Sequence, residues 1–493
     1  MLVELSRTIG YVRTEPTIIQ GGMGVAISDW RLARAVAGMG QLGVVSGTAL
    51  DVVMTRRLQH GDPDGVVRSA LAAFPFPEVS ERILAEYYVE GGIARDALFR
   101  AVPRHTTTPG RSLWELTVAA NFVEVWLAKQ AHGGEVGINY LRKIDLPLLG
   151  AMYGAMLAGV DDVLIGAGSP AEVPALLRRL AGHQGVSLST KVQGARSTED
   201  LGTVRFSPRA VFGAARTERI GPLAPPRLIA IVASTALAIG LFENPETRPG
   251  GFVIEGPSAG GHNAPPRGPR RLDDLGQPLY DERDEVDVAA VVALGLPVWL
   301  AGSFATHERL AAALAMGATG VQVGTAFAFC AESGLDDELR TRALRAIDSG
   351  ELTVRSDWRA SPTGFPFHVA ELDGTWTDPD TAAARRPVCD LGVLRAAYRT
   401  EKGSVGFRCP SEPGAQYLRK GGRAANREGR VCLCNALLAT AGFAQRRRTS
   451  IDEPALLTSG ADLAPVAEIM RTTAARADLP YTARDVVNYL LGA

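Results

Sequence analysis

The 493 residues carry 52 Lys and Arg against 53 Asp and Glu, a net charge of -1, with 46% hydrophobic and 21% charged residues and a mean hydropathy near zero. That balance supplies no long-range field to gather phosphate backbones or anionic lipid, so neither nucleic acid nor a membrane surface is an expected partner. The composition is that of a globular chain, and the length points to two or three domains or to one large barrel with additions.

The segment Met1 to Tyr11 lacks the basic start and apolar run of a secretory signal, and no stretch reaches the roughly 18 uninterrupted apolar residues of a membrane span. The cytoplasm is the expected compartment. Five cysteines are an odd number, and four of them (Cys389, Cys409, Cys432 and Cys434) fall in the last quarter, unlike a secreted disulfide framework.

In chain order, short β-branched runs ending in Gly or Ser alternate with Ala/Leu-rich stretches of helical spacing, the pattern of parallel strands joined by crossover helices. The expected strands are Thr17 to Gln20, Leu42 to Ser46, Glu135 to Tyr140, Asp162 to Ile165, Arg227 to Ala233, Phe252 to Glu255, Pro297 to Ala301 and Gly320 to Val323. Eight strands close a TIM (β/α)8 barrel, which is the expected fold; a doubly wound open sheet gives similar alternation and stays open at this point. Ser28-Asp29, Ser169-Pro170 and Thr306 read as starts of the helices Trp30 to Gly38, Ala171 to Leu180 and His307 to Met316.

Three segments interrupt the repeat. Residues 51–134 separate the second and third strands by too much for a βα connection and contain amphipathic stretches, so they read as a helical insertion. Residues 187–212 alternate apolar and polar side chains and read as a β-hairpin. His262 to Asp287 reads as a long loop at a strand's C-terminal end, where barrels place substrate loops. The expected division is a barrel over 1–335 with insertions at about 51–134 and 187–212, and a C-terminal lid or extension over 336–493.

Four motifs carry chemistry. Gln20-Gly21-Gly22-Met23-Gly24 ends the first strand with glycines that let a flat ring lie against main chain, although a tight βα turn needs glycine too. Glu255-Gly256-Pro257-Ser258-Ala259-Gly260-Gly261-His262 follows the sixth strand. A histidine suits proton transfer at neutral pH, and the glycine pair before it admits a cofactor ring; a lone histidine is more often structural, but its place at a strand's C-terminal end favours catalysis. Ala301-Gly302-Ser303 and Gly324-Thr325 follow the seventh and eighth strands, where barrels build a phosphate site from backbone N–H groups. Ser361 to Phe367 reads as an apolar lid or as a turn packing the tail, and Lys191 as a solvated lysine able to reach an anion. Thiolates suit zinc and iron–sulfur clusters, yet a C-x-C pair preceded by separations of 20 and 23 lacks the usual C-x2-C clamps, so buried free thiols are expected and no metal ligand is assigned.

Together with Gly137-Ile138-Asn139 on the third strand and Gly320 to Phe327, these motifs resemble the nitronate monooxygenases, formerly 2-nitropropane dioxygenases, and their relatives the FMN-dependent enoyl-acyl-carrier-protein reductases. The likeness runs over about residues 15 to 335. It implies FMN at the barrel mouth, its phosphate held by Gly302, Ser303, Gly324 and Thr325, its ring near Gly22, Met23, Gly24, Asn139 and Gly261, with His262 beside it. Ser303 stands where the family often has glycine.

The expected function is an FMN-dependent oxidoreductase, foremost a nitronate monooxygenase using O2. The alternatives are an NAD(P)H-dependent enoyl reductase serving an acyl carrier protein and a flavin-binding scaffold without catalysis. A small-molecule substrate is expected in either enzyme, and self-association stays open.

Overall fold

The computed structural model describes residues 14–194, 202–447, 451–473 and 480–493. The N-terminal segment read above for a signal, and the tip of the expected hairpin, lie outside the described residues.

Eight parallel strands close a barrel: Ile18–Gln20, Leu42–Ser46, Val136–Leu141, Asp162–Gly166, Arg227–Val232, Gly251–Glu255, Val298–Ala301 and Gly320–Val323. Each pairs with its sequence neighbour, and the first closes the ring on the eighth through Ile18 opposite Val321. Closure excludes the open sheet. Nearly every strand residue is buried because helices cover the outer face and side chains fill the inner one, which is why the strands read as continuous apolar runs. Ile19, Leu42, Val44, Leu164, Ile229, Val253 and Trp299 form the packed interior, and the Trp299 indole donates to the Pro16 carbonyl at 2.7 Å.

The helices start where the sequence signals them. The Asp29 carboxylate accepts from the amides of Arg31 and Leu32 at the head of Trp30–Ala37, and the Thr306 hydroxyl accepts from Arg309 N at the head of His307–Ala315. Between the second and third strands run Leu50–Gln59, Val66–Ala72, Pro77–Tyr87 and Arg111–Ala128. The last of these packs on Trp30–Ala37, on Leu148–Leu157 and on both strands, so it holds the ring position between them. The hairpin forms from Val186–Thr190 and Gly202–Phe206, and the short strand Val192–Gln193 pairs with Ala396–Arg399 of the C-terminal part.

Residues beyond 336 wrap the same core. Leu339, Ile347, Ile469, Val486 and Leu490 are buried in one cluster with Val321, Phe327 and Phe329 of the barrel. The Tyr481 hydroxyl donates to the Ala326 carbonyl at 2.6 Å, and Gly460 N donates to Thr325 Oγ1 at 2.8 Å. Among the described residues, no helix is long and apolar enough to cross a membrane.

Candidate active site at the barrel mouth

A cavity of about 560 Å3 opens at the C-terminal ends of the strands, within the range of ~300–1,000 Å3 usual for small-molecule sites. Gly22, Met23 and Gly24 line it from the first strand, and Asn139 from the third. Gly261 and His262 enter from the sixth, Gly302 and Ser303 from the seventh, and Gly324 and Thr325 from the eighth. All ten residues singled out in the sequence therefore share one cavity.

The opening motif is held from below. The Gln20 amide takes an amide proton from Val44 N at 3.0 Å on its oxygen and donates to Ser28 Oγ at 2.9 Å, while Met23 N donates to the same hydroxyl at 2.9 Å. Gln20 thus shapes the turn rather than facing the cavity. A Cβ on Gly22 would sit 2.4 Å from the Asn139 Cβ, so only glycine lets the turn lie against that side chain. After the seventh strand, Gly302 and Ser303 both adopt left-handed backbone, at φ 95° and 60°. The second value is the physical reason a glycine suits this position, and a serine there costs about 1 kcal/mol.

His262 is anchored by the C-terminal part of the chain. Its Nε2 lies 2.6 Å from Ser361 Oγ, and its ring packs edge-on against Phe367 at 4.8 Å and Phe365 at 6.5 Å. Backbone bonds flank it, from Asn263 N to the Pro366 carbonyl and from His368 N to the Gly261 carbonyl. The 361–367 segment therefore forms a wall clamped to the histidine loop, with Phe365 and Phe367 facing the cavity. Among the described residues the Nδ1 atom takes no protein hydrogen bond.

Two charged residues that the sequence reading passed over complete the site. Lys143 follows the third strand and Glu255 ends the sixth, and both line the cavity. Burial lowers the Lys143 ammonium to about 7, a shift that the Glu255 charge opposes. Burial raises the Glu255 carboxyl to about 7, and Lys143 opposes that in turn. Burial and the Lys143 charge hold the His262 imidazole well below its ordinary range, so it is neutral at physiological pH. Lys143 Nζ sits 4.3 Å from the Phe365 ring centroid and has no hydrogen-bond partner among the described residues; Gln322 Oε1 and Asn263 Oδ1, also on the cavity wall, share that condition. A lysine three residues past a barrel strand was a usable signal for Lys143, because strand ends aim side chains into the mouth. Lys191, by contrast, is exposed and does not line the cavity.

Residues 225–363, from the fifth strand to the Ser361 turn, match the nitronate monooxygenase family model. A curated relative, the (3aS,4S,5R,7aS)-5-hydroxy-7a-methyl-1-oxo-octahydro-1H-indene-4-carboxyl-CoA dehydrogenase of Mycobacterium tuberculosis, is 33% identical over 123 residues. That match covers 25% of this chain and only 30% of the relative's length. Solved structures similar to the chain include FabK from Thermotoga maritima, at 15% identity and a TM-score of 0.47 over 97% of this chain and 92% of that one. A nitroalkane oxidase from Streptomyces ansochromogenes is 14% identical with a TM-score of 0.44, over 97% of this chain and 95% of its own.

Proposed function

We propose that the chain is an FMN-dependent oxidoreductase that oxidises alkyl nitronates with O2. The carrying observation is the neutral, half-buried His262 on the wall of a glycine-rimmed cavity that also holds Lys143, whose Nζ is buried.

The residues present fit FMN. The rim is main chain where a flat ring needs it, at Gly22, Gly24 and Gly261, and Met23 and Asn139 flank that surface. Gly302, Ser303, Gly324 and Thr325 would hold the phosphate through backbone N–H groups at the seventh and eighth strand ends. The unpartnered Gln322 Oε1 and Asn263 Oδ1 are acceptors awaiting donors, of which a flavin ring has one. Bound FMN supplies a two-electron acceptor whose reduced form reacts with O2.

A nitronate is a small anion. Lys143 offers it a counter-charge inside a cavity whose walls are otherwise mostly apolar, where such a charge acts with little screening. His262 presents Nδ1 to the occupant while Ser361 holds Nε2, which fixes the ring's direction. With its proton affinity lowered, His262 orients the anion by hydrogen bonding rather than competing for its charge.

Anaerobic titration of the flavin-loaded protein with a series of nitronates tests this reading. Bleaching of the oxidised flavin, much slowed in His262→Ala, is expected; an unchanged oxidised spectrum across the series overturns it. The match to a CoA-thioester dehydrogenase favours a second reading, reduction of an enoyl thioester with NAD(P)H, delivered on coenzyme A or an acyl carrier protein. NAD(P)H consumption that requires an enoyl thioester, without nitronate bleaching, would select it.

A further inference from the structure

Cys389, Cys409, Cys432 and Cys434 are scattered over irregular chain in the sequence, yet all four line one small pocket in the C-terminal part of the molecule. None is in a disulfide. Cys409 and Cys432 are buried, and Cys389 and Cys434 are half-buried. Cys409 ends the strand Val405–Arg408, Cys432 caps the helix Leu433–Thr440, and Cys434 lies in that helix's first turn. We propose that this pocket binds a [4Fe–4S] cluster through the four thiolates, beside the barrel-mouth cavity.

Hydrogen-bond donors and cations reach the sulfurs. Leu394 N donates to Cys434 Sγ at 3.4 Å and Asn435 Nδ2 to Cys432 Sγ at 3.7 Å, the kind of N–H to sulfur bond that stabilises cluster ligands. The N-terminal end of Leu433–Thr440 favours negative charge on Cys432 and Cys434. The guanidinium groups of Arg395 and Arg104 act on Cys389 against the carboxylates of Glu412 and Asp390, and that of Arg385 acts on Cys432 against Glu453. Four thiolates around a core of two positive charges leave a net charge of about minus two, which these arginines offset in part.

A metal centre would bind the four as thiolates, displacing their protons. Among the described residues, no group of three or more His, Cys, Asp or Glu side chains could hold a single metal ion. Four cysteines that share one pocket without forming such a group suit a cluster better than a lone zinc ion. Leu394, Leu433 and Cys434 line both this pocket and the barrel-mouth cavity, so one layer of side chains separates a one-electron centre from the cavity.

The test is metal and sulfide analysis of the full chain, purified without oxygen or reconstituted anaerobically with ferrous iron and sulfide. About four iron and four acid-labile sulfide per chain are expected, with visible absorption bleached by dithionite and a paramagnetic resonance signal on reduction. Cys409→Ser and Cys434→Ser should each lower bound iron at least fivefold. FMN released from the same samples is measured separately, so loss of the cluster and loss of the flavin are told apart. Zinc at about one per chain, or no iron after reconstitution of wild-type protein, overturns the proposal; that result needs no variant to fold.

Discussion

His262 Nε2 meets Ser361 Oγ at 2.6 Å, a bond that ties the loop after the sixth barrel strand to a turn 99 residues later. Ser361 is fully buried, so its hydroxyl has no water to replace the ring. Losing that bond in Ser361→Ala costs about 0.5–1.5 kcal/mol of ring positioning, up to roughly a tenfold drop in turnover. His262→Ala, which removes a hydrogen bond to a charged group worth about 1.5–3 kcal/mol, should cost roughly 10- to 100-fold. Steady-state turnover of a nitronate by both variants, with flavin content matched, checks the order; equal rates for wild type and both variants contradict it.

The buried Lys143 predicts proton uptake when an anion binds. Its ammonium titrates at about 7 in the empty cavity, and a bound anion favours the charged form. Above that pH the lysine must gain a proton on binding, so affinity falls as pH rises and uptake approaches one proton. Calorimetry in two buffers of different ionisation enthalpy reads this directly. Lys143→Met should lower both the uptake and the pH dependence, leaving only what Glu255 contributes.

Glu255 and Lys143 together predict a dip in stability near neutrality. The folded Glu255 carboxyl, raised to about 7 from its usual 4.5, holds its proton more tightly than in the unfolded chain, so stability falls as pH climbs from 4.5 through 7. The folded Lys143, lowered to about 7 from 10.5, has the opposite sign, and stability falls as pH drops from 10.5 toward 7. Melting temperatures of cofactor-free wild type and Glu255→Gln, compared from pH 5 to 7, should diverge increasingly toward pH 7. A constant difference across that range removes the assignment.

The rim of the seventh strand separates backbone from side-chain effects. Gly302 has φ 95°, and a Cβ there would lie 3.0 Å from Ser258 Oγ, so Gly302→Val should weaken FMN binding at least tenfold. Ser303 at φ 60° occupies ground that glycine takes freely, so Ser303→Gly should keep FMN affinity within about threefold. Fluorescence titration of FMN with each variant makes the comparison.

All eight barrel strands were legible because burial on both faces leaves an unbroken β-branched run, as in Leu42–Ser46, and because a glycine or serine marks every turn but the one after the third strand. His262 and the glycines were legible for the same reason: strand ends aim them at one place. Ser361 was ambiguous between lid and turn, because nothing local records that its partner lies across the barrel mouth. Glu255 was read only as part of a strand end, since its chemistry arises from facing Lys143, more than a hundred residues earlier. The cysteines lacked a local spacing signature because the chain gathers them from a loop, a strand end and a helix start. Clustering of that kind is a property of tertiary packing, and no window of sequence contains it.

The most direct measurement is FMN binding by the purified chain, read as quenching of FMN fluorescence together with the FMN released on denaturation. The proposed site predicts saturation at about one FMN per chain, with His262→Ala retaining the flavin while losing turnover. Protein that carries no FMN and leaves added FMN fluorescence unchanged would contradict it.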